Sequence, residues 1–132
     1  MRSIALNQTA KELSAPRHLS WSKISTEQLS PLLSRRYVSG EKSTVARFEL
    51  TKGAVVPRHE HENEQTCTVV SGALKFIMDD SEYLIRAGEL LVIPPHVPHA
   101  AEAVEDSVVF DFFSPARADW AKQQDQYLRA SK

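Results

Sequence analysis

From Thr44 onward the chain carries apolar and polar residues in short alternating blocks. Thr44-Val45-Ala46-Arg47-Phe48-Glu49-Leu50, Gln65 to Ser71, Ala73 to Met78, Glu82 to Arg86, Glu89 to Ile93 and Ser107 to Phe113 are rich in β-branched or aromatic residues. Gly53, Gly72, Asp79-Asp80 and Ala87-Gly88 punctuate them. Strands recurring every ~8–12 residues, with no helical stretch long enough for a parallel crossover, predict an antiparallel all-β barrel. Two segments follow a helical period instead. Ser25-Thr26-Glu27-Gln28 has the spacing of a capping box, with Leu29, Leu32 and Leu33 behind it and Pro31 keeping the helix short. At the other end Ser114 can cap and Pro115 suits a first turn. Ala116, Trp120, Gln124, Tyr127 and Leu128 then share one face, predicting a C-terminal helix over 115–129. Residues 1–20 are polar and aperiodic and read as an arm, leaving 21–132 as a single domain.

Composition narrows the function classes. A chain of 132 residues buries roughly two thirds of its unfolded surface on folding, so a metal would serve chemistry rather than stability. Sixteen Lys+Arg balance 17 Asp+Glu, with no basic block, which argues against binding nucleic acid or an anionic membrane. The longest apolar run, Leu90 to Ile93, falls far short of the ~20 residues that span a bilayer. No apolar signal core precedes it, and the single cysteine cannot form an internal disulfide. A cytoplasmic protein is expected.

Four of the five histidines fall in two clusters, Arg58-His59-Glu60-His61 and Pro94-Pro95-His96-Val97-Pro98-His99. On a strand, residues two apart face the same side, so His59 and His61 can offer two imidazoles to one ion, with Gln65 in phase and His99 reaching in from a neighbouring strand. A set of three histidines and one glutamine suits one divalent transition metal, Ni, Zn, Fe or Mn, and leaves coordination positions open. Glu60, Glu62 and Glu64 run out of phase and face solvent, Glu64 being the one carboxylate able to swing toward the ion. His96 reads as a rim residue and His18 as part of the arm.

The spacing of these residues resembles that of the cupin family. Gly53, His59, His61, Gln65 and Gly72 stand as in the first cupin motif, with Gln65 at the usual Glu; Gly88, Pro94, His96 and His99 stand as in the second, with His96 at a usual Gly. The resemblance implies a cupin β-barrel, a double-stranded β-helix or jelly roll, with the metal inside. His96 at the glycine position implies either that the turn needs no positive φ or that it is strained.

In Val108-Val109-Phe110-Asp111-Phe112-Phe113, alternation places Val109, Asp111 and Phe113 on one face. A carboxylate in so apolar a strand needs a partner or a task. Pairing with Arg117 or Arg47 satisfies the first, and proton transfer in the metal pocket the second. The run Asp111-Phe112-Phe113-Ser114-Pro115-Ala116-Arg117-Ala118-Asp119-Trp120 resembles the ending of the KdgF-like cupins of pectin degradation. That resemblance implies linearisation of an unsaturated uronate to its keto form. It implies Asp111 and Arg117 as catalytic residues, Arg117 also clamping the substrate carboxylate, and Phe113 as a pocket wall. Cys67 replaces a polar amide of that group and, in phase with Gln65, is expected to line the substrate pocket. A cupin dioxygenase using Fe and a non-catalytic ligand- or metal-binding cupin are the alternatives. Small cupins are commonly dimers, so a homodimer is expected, with the arm available to cover a barrel edge.

Overall fold

The computed structural model describes residues 9–129. Residues 1–8 of the expected arm and 130–132 of the expected domain lie outside it. The arm carries a short helix, α1 (Ala10–Ser14), opened by a capping box between Thr9 and Glu12. Trp21 follows in a single 3-10 turn and packs its ring against Phe110 at 5.5 Å.

Ten strands build the body: β1 (Glu27–Ser30), β2 (Leu33–Ser39), β3 (Thr44–Leu50), β4 (Val55–His59), β5 (Glu64–Ser71), β6 (Ala73–Met78), β7 (Glu82–Arg86), β8 (Leu90–Ile93), β9 (His99–Ala103) and β10 (Ser107–Ser114). They form a six-stranded sheet in the order β1-β2-β3-β10-β5-β8 and a four-stranded sheet in the order β4-β9-β6-β7, every pairing antiparallel. This is the predicted antiparallel all-β barrel. Alternation sets its interior: Thr44, Ala46, Phe48 and Leu50 of β3, Gln65, Cys67 and Val69 of β5, and Val109, Asp111 and Phe113 of β10 are all buried. Gly72 makes the turn between β5 and β6 at φ +87°, where an added Cβ would stand 2.2 Å from the carbonyl oxygen of Asp106. Only glycine fits there.

One helix expectation fails, and the C-terminal one holds in shorter pieces. The segment after Ser25 is the β1–β2 hairpin, because the polar groups read as a helix cap serve the hairpin instead. Gln28 Nε2 donates to the carbonyls of Ser30 and Leu33, and Thr26 Oγ1 accepts from Arg36 Nε at 2.7 Å. The helix expected over 115–129 is two single turns, α2 (Ala118–Ala121) and α3 (Gln126–Arg129), separated by Gln123 at φ +58°. The break lets both Trp120 and Leu128 bury into the barrel. It also lets Asp125 reach Arg35 on β2 at 2.8 Å, with both side chains essentially fully buried.

Candidate metal centre

His59 ends β4 and stands directly opposite His99, the first residue of β9. Their rings lie 4.3 Å apart. His61 does not sit on a strand. It lies in the loop between β4 and β5, where its carbonyl accepts from the backbone N–H of His96 at 2.8 Å. The grouping expected from the sequence therefore forms, although a turn rather than strand alternation delivers its second member. One ligand nitrogen from each of the three rings lies within 4.8 Å of the other two.

Local backbone fixes which nitrogens those are. His59 Nδ1 bonds the carbonyl of Pro57 at 2.8 Å, His61 Nδ1 that of Asn63 at 3.0 Å, and His99 Nδ1 that of Val97 at 2.8 Å. A carbonyl only accepts, so each Nδ1 carries the proton and each Nε2 presents a lone pair. Burial, aided by the neighbouring histidines, pushes His59 down to about 3. Burial and then the charge of Arg117 push His61 down to about 4, and burial lowers His99. All three are neutral imidazoles at neutral pH.

Gln65 completes the set. Its Oε1 lies 3.1 Å from His61 Nε2, and with the Nδ1 proton committed to Asn63 these are two acceptors facing each other. His99 Nε2 is buried and has no hydrogen-bond partner among the described residues. Leaving such an acceptor unpaired costs about 1–3 kcal/mol. A cation at the convergence point satisfies both features, so the three histidines and Gln65 fit a divalent metal.

Next to this set lies Asp111, opposite Cys67 on β5 and Ala46 on β3. The expected salt bridge to Arg117 or Arg47 does not form. Burial pushes the Asp111 carboxyl up to about 6, the side chains of Cys67 and Gln65 and the charge of Arg117 offsetting part of the shift. Its Oδ1 also lacks a hydrogen-bond partner among the described residues. Cys67 is fully buried and does not line the central cavity, contrary to the sequence expectation; it stands beside Asp111, its cross-strand partner. Burial and then the Asp111 carboxylate push its thiol up, so it stays neutral.

Arg117 and Phe113 do line the cavity. The guanidinium lies over the rings of Phe113 and Trp120, at 4.7 and 4.5 Å from their centroids. Its Nε and Nη2 donate to Asp119 at 2.8 and 2.6 Å, and Nη2 also donates to the hydroxyl of Tyr127 at 2.6 Å. Asp119 and Tyr127 escaped the sequence reading, as did Asn63, whose Nδ2 holds the carbonyl of Pro115 at 2.6 Å and ties the His61 loop to the segment entering Arg117. The position of Tyr127 beside Trp120 on the predicted helix face was the available signal for one of them.

Glu60, Glu62, Glu64 and His96 are exposed, His96 at φ +63°. The strained alternative for that turn is therefore the one realised.

A family model for the cupin domain matches residues 46–113, just over half of the chain and both histidine clusters. The chain is a cupin. It is 24% identical over 97 residues to the pectin degradation protein KdgF of Dickeya dadantii, covering 71% of this chain and 88% of the relative. The solved structure of KdgF from a Halomonas species superposes with a TM-score of 0.70 at 29% identity, covering 75% of this cupin and 94% of that chain. An RmlC-like cupin from Shewanella frigidimarina superposes at 0.73 with 28% identity, covering 80% and 96%. This single-domain cupin thus resembles KdgF in sequence and in fold.

Proposed function

We propose that this cupin is a metal-dependent enzyme that converts an unsaturated uronate, or a similar small sugar acid, to its linear keto form. One observation carries the reading: three neutral imidazoles and the Gln65 amide oxygen face a common point beside the cavity that Asp111 and Arg117 line. The likeness to a pectin degradation protein supports the substrate class. His59, His61, His99 and Gln65 would hold a divalent ion, Ni, Zn, Fe or Mn, which would supply polarisation of the substrate oxygens.

The chain's own residues do the rest. Arg117 binds the substrate carboxylate, and Asp119 holds the guanidinium in place for it. Phe113 walls one side of the cavity. Opening the sugar hemiacetal breaks the bond between C1 and the ring oxygen, leaving an aldehyde at C1 and an enol at C5. A proton added at C4 and the loss of the enol proton then give the ketone. Asp111, with a pKa of about 6, holds both protonated and ionised forms near neutrality and delivers the C4 proton.

Metal-loaded protein mixed with lyase-generated unsaturated uronate should accelerate loss of the conjugated absorbance at the far-ultraviolet edge. Decay at the spontaneous rate overturns the assignment. We place the protein in the cytoplasm as a homodimer. Phe112, Leu90, Val92 and Val70, about half exposed on the outer face of β10, β8 and β5, form a strip that a second copy covers. Light scattering reads that state directly.

A further inference from the structure

The cavity among His59, Gln65, His99, Asp111 and Arg117 has a volume of only about 50 Å³. That is room for only a few water molecules, whereas ligand pockets span about 300–1,000 Å³. Tyr127 is what fills the site. Its ring stacks on His59 at 4.3 Å with an interplanar angle of 27°, and its hydroxyl takes Arg117 Nη2 at 2.6 Å. An oxygen on that nitrogen, next to a flat group against the metal-site imidazole, is what a bound sugar acid would itself provide. A hollow of about 330 Å³ lies on the far side of His61, but Glu60, Glu62 and Asp119 line it against a single Lys122, and that charge repels an anion.

We propose that Tyr127 determines which ligands the site accepts: its phenol stands in the place of the substrate's carboxylate on Arg117, and a six-carbon sugar acid binds only when Tyr127 withdraws. The proposal rests on reading Arg117 as the carboxylate-binding residue. Withdrawal needs only a turn of the half-buried Tyr127 side chain, while Leu128 beside it on α3 and Asp125 stay buried.

Calorimetric titration of the metal-loaded protein with galacturonate tests this in the wild type, Tyr127→Phe and Tyr127→Ala. The phenylalanine variant keeps the ring but releases Nη2, and the alanine variant also opens the cavity. Galacturonate affinity should rise from wild type to Phe to Ala, by about tenfold overall. Equal affinities, weaker binding in the variants, or no binding in any of them overturns the proposal. Should the alanine variant fail to fold, the nearly isosteric Phe variant decides: affinity no higher than wild type overturns it. Turnover of unsaturated uronate is measured in parallel. Tighter galacturonate binding without turnover in any form refutes the proposed reaction and leaves the role of Tyr127 standing.

Discussion

Replacing Asp125 by asparagine should loosen the C-terminal segment from the barrel and do so in a pH-dependent way. Asp125 is 1% exposed. Its carboxylate accepts from Arg35 Nη2 at 2.8 Å and from Arg129 Nε at 3.2 Å. Arg35, also 1% exposed, lies over the rings of Trp120 and Tyr37 and keeps only the part-exposed Glu27 as a second anionic partner, at 3.0 Å. Removing one member of a buried pair costs about 3–5 kcal/mol, and the surviving Glu27 contact places Asp125→Asn near about 3 kcal/mol. For a domain of this size that is a fall in Tm of about 10 °C. The pH dependence follows from the carboxyl itself. Burial alone would raise its pKa, but the hydrogen bonds and charges of Arg129 and Arg35 outweigh burial and hold it below the ordinary value. Its contribution is complete above the unfolded value of about 4 and is lost as the pH falls through the lowered folded value. Urea denaturation of both proteins should give a constant gap from about pH 5 to 8 that narrows below about pH 4. A variant melting within about 2 °C of the wild type at pH 7, or a gap unchanged in acid, refutes the reasoning.

His99→Ala should abolish stoichiometric metal in the purified protein and remove the rise in Tm that excess nickel or zinc gives the wild type, read by elemental analysis and thermal melts. Asp111→Asn should retain metal yet lose about 10²–10⁴-fold in turnover of unsaturated uronate, because the C4 proton loses its donor. Gly72→Ala drives a Cβ against the Asp106 carbonyl at a positive φ and should lower stability by about 3 kcal/mol or more, measured by denaturant midpoint. His96→Gly should match or exceed wild-type stability by about 1 kcal/mol, whereas His96→Val should fall below it in the same assay.

Much of the barrel was legible because its inner residues are mostly apolar and alternate cleanly. β3, β6 and β7 coincide with the predicted segments, and β5, β8 and β10 differ by one residue at one end. The β1–β2 hairpin was not legible. Leu33, Arg35 and Tyr37 point inward together, and an inward arginine looks like a solvated one until its partner, ninety residues later, is known. The spacing of the histidines and Gln65 pointed to the group, but it put His61 on a strand, whereas sheet register brings His59 and His99 together and a loop brings His61. The surroundings of Arg117 were not, because they depend on where the chain turns after Trp120. That reversal at Gln123 has no proline or glycine to announce it. Cys67 shared a face with Gln65 as expected, but facing inward did not mean reaching the cavity, which its cross-strand partner Asp111 lines instead.

The three Nδ1–H to carbonyl bonds also govern charge. Each reaches a carbonyl only two residues away, so the rings are aimed and their protonation is set before any ion arrives. Every donor in the set is uncharged, Gln65 included, so uptake of an ion displaces no proton and cancels none of its charge. A divalent ion bound there would have its charge offset by none of its ligands and only by the neighbouring Asp111, which would make the centre an attractor for small anions.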